Sequence, residues 1–173
     1  MPPPRYAYCK LEFNPAYPTT FPYGLMRMKE AWTTPMYIAG WMKQLPPPRS
    51  EHGFSFNWKP YDWRDCKSTY SHFNPTAEPH GYMNGSPSHV GDLKPIIDDS
   101  TGNASYGTVY ANRPTLFWGT NSVARRSMVV YERRDDFGEY DTRPSQYNGS
   151  MGREIACCNV QLFRLRDAEY EGP

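Results

Sequence analysis

Eighteen prolines in 173 residues rule out a protein built from long helices. Each proline removes a backbone donor and its ring clashes with the preceding turn. Thirteen glycines add further breaks. What remains is a series of short segments in which residue type alternates. Residues 6–13 (YAYCKLEF) put Tyr6, Tyr8, Lys10 and Glu12 on one side and Ala7, Cys9, Leu11 and Phe13 on the other, which is the period of a strand. Residues 25–31 alternate more loosely. Residues 36–45 read as a strand with a bulge at Gly40, stopped by three prolines from Pro46 to Pro48. Residues 53–59 place Phe54, Phe56 and Trp58 on one face. Strands are expected again at 106–112, 115–119, 126–132 and 155–163.

Two stretches have no period. Residues 60–101 show neither strand nor helix pattern over about 40 positions, a length that calls for function, an external tether or disorder. Residues 135–151 form a second long loop. About eight short strands with two large loops predict an all-β protein, an eight-stranded antiparallel Greek-key barrel or sandwich. Its length predicts one domain. Residues 1–22 read as a Tyr/Pro-rich extended segment carrying the first strand, 23–163 as the domain proper, and 164–173 as a charged tail.

Leu, Ile, Val and Phe make up only about 14% of the chain, below the ~20% at which disorder is suspected. The formal net charge of +1, with 14 Tyr, 8 Phe and 5 Trp, argues the other way. No apolar run is long enough for a membrane span. The start, MPPPRYAYCK, is no secretory signal, so an intracellular site is expected, cytoplasm or cytoskeleton. The near-zero charge argues against nucleic acid as partner. Glycine-rich phosphate loops are absent, so nucleotide cofactors have no support.

The four histidines are His52, His72, His80 and His89, and three of them fall in the unpatterned loop. Asp92 follows His89 by three residues. Three imidazoles and a carboxylate complete a four-coordinate zinc set, and a metal can fix chain that has no core of its own. Three solvated loop histidines are the alternative, because this spacing is no generic zinc motif.

Residues 66–93 (CKSTYSHFNPTAEPHGYMNGSPSHVGDL) resemble the zinc subloop of Cu/Zn superoxide dismutase, with HFNP, HG and HVGDL in order. HGF at 52–54 resembles the start of the family's HGF-H-x-H strand. RSMVVYERRDDFG at 126–138 resembles its R-[TS]-[LM]-V-V-H-E-x-x-D-D-L-G. NGSMGREIAC at 148–157 resembles its N-A-G-x-R-x-A-C, with one residue inserted after the Arg. The likeness covers roughly residues 50–160, and the first strands weakly. By motif position it makes His72, His80, His89 and Asp92 the zinc ligands, with His72 also the bridge to copper. Asp135 becomes the carboxylate linking the two metal sites, Cys66 and Cys157 the intrasubunit disulfide, and Arg153 the arginine of the anion site. Cys9 and Cys158 are then expected to be unpaired, buried strand residues.

The departures lie in the copper set. Where the family has its three other copper ligands, all histidines, this chain has Ser55, Asn57 and Tyr131. A hydroxyl, an amide and a phenol make a poor copper site, and zinc alone has no redox chemistry. The resemblance therefore implies one structural zinc, no copper, and a pseudoenzyme: no enzyme activity is expected. Arg153 is then left for packing or hydrogen bonding. Arg133-Arg134 and Arg125-Arg126 read as solvated charge. The residue at Arg125 and the ending Val160-Gln161-Leu162-Phe163 differ from the family's small contact residues, which argues against its usual homodimer. The function expected is a structural or interaction subunit of a larger intracellular assembly, cytoskeletal or axonemal, with protein partners met through Tyr- and Pro-rich surface. The alternative is a binding or carrier module that docks a true dismutase, like the dismutase-like domain of the copper chaperones.

Overall fold

A computed structural model describes residues 2–83, 87–111 and 114–163. In chain order its elements are β1 (Arg5–Phe13), β2 (Tyr23–Ala31), β3 (Thr34–Lys43), β4 (Glu51–His52), β5 (Phe54–Asn57), β6 (Ile96–Ile97), β7 (Ala104–Tyr110), β8 (Ser127–Tyr131), the one-turn-and-a-half helix α1 (Arg143–Asn148), β9 (Glu154–Asn159) and β10 (Gln161–Phe163). A 3-10 turn spans Cys66–Thr69. Strands run antiparallel in the order β5-β8-β9-β1-β2-β3-β7, with β10 also on β1. This is the expected all-β Greek-key barrel. The first strand lies in the middle of the sheet, between β9 and β2. The tail expected at 164–173 lies outside the described residues.

Alternation places the core. Ala7, Cys9 and Leu11 of β1 point inward with Met26 and Met28 of β2 and with Met36, Ile38 and Met42 of β3, all buried. Methionine suits this interior because its unbranched chain fills irregular gaps. Two glycines make room for it. Gly24 pairs with Met42, and Gly40 with Met26. A Cβ on Gly24 would strike the Met42 sulfur, and one on Gly40 the Leu25 carbonyl and the Met26 sulfur. Gly40 therefore serves close approach of neighbouring strands, and the bulge expected there is absent. The register shift in this pair falls between Lys29 and Ala31 instead.

Other expectations are corrected. Residues 115–119 form no strand but a turn, held by a bridge from Thr115 to Ser122. The buried carboxylate of Glu30 accepts hydrogen bonds there from the Thr115 hydroxyl and the Leu116 amide. The strand expected at 155–163 breaks at Val160, whose N–H leaves the ladder to donate to the Arg126 carbonyl at 2.8 Å. Arg126 is no solvated charge. Its guanidinium donates to the carbonyls of Ser122 and Trp58 and lies 3.7 Å from the Phe73 ring centroid.

The cysteine reading is corrected as well. Cys66–Cys157 is bonded, as the resemblance implied, and Cys9–Cys158 is bonded too, so no cysteine is free. Cys157 and Cys158 are successive residues of β9, so their side chains leave opposite faces of the sheet. Cys158 faces the barrel interior with Cys9. Cys157 faces a second, smaller apolar cluster with Cys66, Tyr61, Val129, Tyr131 and Met151.

Candidate metal centre

The long segment from 60 to 101 is held by the edge of β5, although its sequence has no period. Phe73 N–H donates to the Phe56 carbonyl at 2.8 Å, and Phe56 N–H to the Gly91 carbonyl at 2.9 Å. Leu93 N–H donates to the Phe54 carbonyl, and Trp58 N–H to that of Ser71. Phe73, Val90, Leu93 and Ile96 are buried in the main core. The segment therefore shares the main core, an external tether of the kind its length calls for. Its periodicity is missing because contacts are made by single residues between turns. Ile96 and Ile97 even form β6, paired with β4.

These bonds deliver four ligand-type side chains to one point. His72 bridges to Asn57 of β5, and Asp92 to Ser55. One ligand atom from each of His72, His80, His89 and Asp92 lies within 4.8 Å of the other three, and all four residues are buried. Asp92 Oδ1 lies 2.8 Å from His72 Nδ1 and 3.1 Å from His89 Nδ1. The Nδ1 atoms of His72 and His89 are 3.5 Å apart. Tetrahedral zinc with bonds near 2.0 Å requires ligand atoms about 3.3 Å apart. His80 Nδ1 is 3.1 Å from Asp92 Oδ2, close enough to feel its charge but out of hydrogen-bonding geometry, so this buried nitrogen has no hydrogen-bond partner. Asp92 Oδ2 is itself steadied by the backbone N–H groups of His89 and Gly81.

Asp135 completes the arrangement from behind. His80 Nε2 donates to Asp135 Oδ1 at 2.7 Å, which leaves the neutral ring's lone pair on Nδ1, facing the other ligands. Asp135 Oδ1 also accepts from Phe137 N–H. Gly149, with φ 67, closes α1 over this pair. A Cβ there would collide with Asp135 Oδ1 and His80 Nε2. The sequence reading passed over Gly149. An N-G pair ending a loop was its visible signal, but the reason for it is tertiary. Burial alone would make His80 a weaker base, yet Asp135 and Asp92 outweigh it and hold the ring's pKa up at about 10. Burial would likewise raise the Asp92 carboxyl, but the imidazoles of His72, His80 and His89 keep it well below the usual range. Burial lowers the pKa of His72. The donor set, its spacing and the unpartnered His80 Nδ1 fit a tetrahedral zinc ion.

The positions matched to the other copper ligands converge just as closely, with different chemistry. Ser55 Oγ donates to Asn57 Oδ1 at 2.6 Å. Asn57 Nδ2 donates to Thr69 Oγ1 and the Tyr70 carbonyl, both at 3.0 Å, and lies 3.2 Å from Tyr131 Oη. Ser55, Asn57 and Tyr131 are all buried, and burial raises the pKa of the Tyr131 phenol above the ordinary value. The three polar groups satisfy one another. The His72 ring lies 5.6 Å from that of Tyr131, and its Nε2 is buried without a hydrogen-bond partner. This donor set does not fit copper. His52, beneath it, donates from Nδ1 to the Tyr131 carbonyl at 2.9 Å and ties β4 to β8.

Arg153 lies at the surface. Its guanidinium grips Glu132 through Nε and Nη2 at 3.2 and 2.7 Å and lies 4.5 Å from the Tyr17 ring centroid. The residue inserted after it is absorbed as a register shift, in which Val130 pairs with Ala156 but Tyr131 with Glu154.

Comparison with known proteins places this geometry. The profile of the copper/zinc superoxide dismutase family matches residues 23–160. Superoxide dismutase [Cu-Zn] 5 of Dictyostelium discoideum is 32% identical over 132 residues, covering 76% of this chain and 84% of that protein. Superoxide dismutase [Cu-Zn] of Podospora anserina is 42% identical over 92 residues, covering 53% and 58%. Among solved structures, the clock protein EA4 superposes with a TM-score of 0.80 at 27% identity, over 92% of this chain and 96% of that one. These names correct one expectation. The missing copper imidazoles led to the reading that the chain is no enzyme, but the relatives at 32–42% identity are named as dismutases, and the family is one of enzymes.

Proposed function

The chain belongs to the copper/zinc superoxide dismutase family, and from that premise we propose that it binds one zinc ion through His72, His80, His89 and Asp92, takes up no copper beside it, and serves as a structural or interaction subunit of a larger assembly. One observation carries the metal assignment: two adjoining buried clusters of opposite character. The first converges three imidazole nitrogens on a carboxylate, with His80 Nδ1 unpartnered. The second is a set of hydrogen bonds that joins Ser55, Asn57 and Tyr131 to one another and Asn57 to Thr69 and Tyr70. Bound zinc would supply a fixed charge at the junction of the long segment, the barrel and the 135–151 loop. Asp135 orients His80, and Gly81 and His89 orient Asp92 through their backbone N–H groups.

Both disulfides and this centre stiffen the fold, which supports a role in presenting surface to partners. A structural neighbour described as a clock protein supports reading the fold as one with roles beyond those its family name states. Metal analysis of the purified chain tests the first part: one zinc and negligible copper per chain are expected. Stoichiometric copper, or superoxide removal that copper loading restores after chelation, would overturn it. The second part predicts that the native protein elutes from gel filtration of extract far above 20.0 kDa. Elution at that mass would overturn it.

A further inference from the structure

The outer face of β1, β2, β3 and β7 carries a surface that the metal centre does not use. The register aligns Tyr6 with Lys29, Lys29 with Tyr37 and Tyr37 with Val109. The next row runs from Tyr8 through Arg27 and Ala39 to Gly107, and a further one from Lys10 through Leu25 to Trp41. Tyr23, Tyr37, Trp41 and Val109 are 41, 47, 39 and 53% exposed. We propose that this face docks an extended acidic polypeptide segment, which rests on the reading of the chain as an interaction subunit.

Charge complementarity selects that occupant. The face carries Lys10, Arg27, Lys29 and Lys43, and Glu12 is its one acidic strand residue, already 4.0 Å from Lys10. Among the described residues no carboxylate lies within ion-pair distance of Arg27, Lys29 or Lys43. Asp99, at the rim, is engaged by its own turn through Thr101 and Asn103. The whole chain has a net charge of only +1, so this positive face is a local concentration and not a general excess. Lys29 Nζ lies 5.8 Å from the Tyr6 ring centroid and Lys43 Nζ 5.6 Å from that of Trp41. Rings that already hold the ammonium groups limit their freedom, so less ordering is needed when an anion arrives.

The same geometry disfavours single-stranded nucleic acid. Stacking platforms need open ring faces, whereas Lys43 sits over Trp41 and Tyr23 meets that ring edge-on at 5.8 Å. Arg27 and Lys29 are alternate residues on β2, so their side chains rise about 6.8 Å apart. Alternate acidic residues of an extended peptide have that spacing. Tyr23 and Tyr37, both exposed residues, carry hydroxyls that add donors for carboxylates.

The test is fluorescence anisotropy with a labelled twelve-residue peptide of alternating Glu and Ala, titrated with the whole protein at low and physiological salt. Binding is expected, weakening several-fold with added salt as exposed charges are screened. Arg27→Glu/Lys29→Glu should weaken it at least tenfold, and Arg133→Glu/Arg134→Glu, outside this face, less than twofold. Thermal melts of both variants should match the parent. No binding, equal weakening by both variants, or tighter binding of a twelve-residue oligo-dT would overturn the proposal. Its failure is separable from that of the subunit reading: a chain that ignores the peptide yet elutes in a large assembly refutes this docking face alone.

Discussion

Replacing Cys9 and Cys158 together by alanine removes a cross-link whose ends lie 149 residues apart. That separation overstates the effect, because Cys66–Cys157 already closes a loop of 91. With that bridge intact, the shortest covalent path runs from Cys9 to Cys66, across the bridge to Cys157, and on one residue. This is a loop of about 60 residues, for which the chain-entropy relation gives about 4 kcal/mol. The path is nearly the same when the other bridge is removed, so Cys66→Ala/Cys157→Ala should also cost about 4 kcal/mol through the unfolded chain. Native packing then separates them. The first pair leaves a gap in the main barrel core, and the second in the small cluster beneath Tyr131. The assay is guanidinium unfolding without reductant, comparing free energies at matched slopes. A loss below about 1 kcal/mol for Cys9→Ala/Cys158→Ala would refute the reasoning. The pairing itself is read by alkylation after unfolding. Cys158→Ala should free Cys9 alone, and Cys157→Ala should free Cys66 alone. A thiol at the other position would show that the two faces of β9 had been assigned the wrong way round.

Zinc binding should release about one proton per site at pH 7, because His80 is protonated below about 10 in the metal-free chain and must be neutral to ligate. Calorimetry in buffers of different ionisation heat measures this, and no buffer dependence would contradict the reading. In chelator the sign is set by the same raised pKa. The stabilisation is complete below pH 6.5 and lost as pH rises through about 10, so the melting temperature should fall across that window. Asp135→Asn should weaken zinc binding roughly 10- to 100-fold by loosening the His80 tautomer, read by competition with a chromogenic chelator. Tyr131→Phe should cost about 1–2 kcal/mol in denaturant, since it leaves Ser55 and Asn57 short of a buried partner.

The alternation in β1, and in residues 53–59, already points to a barrel with aromatic and small residues inside, because side chains on a strand change face at every step. The ligand set was legible for a different reason. His72, His80, His89 and Asp92 sit in motifs whose order is itself a signature, although no regular structure carries them. The copper-site substitutions at Ser55, Asn57 and Tyr131 were equally visible. What these residues do in place of copper ligands was not, since their hydrogen bonds join β5 to β8 and to the turn at Thr69.

The alternation along the strands therefore determined the fold class, and the resemblance of the loop motifs to a known family implied the ligand set and the bridge between Cys66 and Cys157. The tertiary structure decided the rest. It paired Cys9 with Cys158, because adjacent cysteines on one strand must serve opposite faces. It turned Arg126 from surface charge into an anchor over Phe73, and Gly40 from a bulge into clearance for Met26. It set Gly149 over the Asp135–His80 bond and gathered Lys10, Arg27, Lys29 and Lys43 onto one outer face. Each of these depends on which strands become neighbours, and a pattern read along one strand contains no information about the residue that will lie beside it.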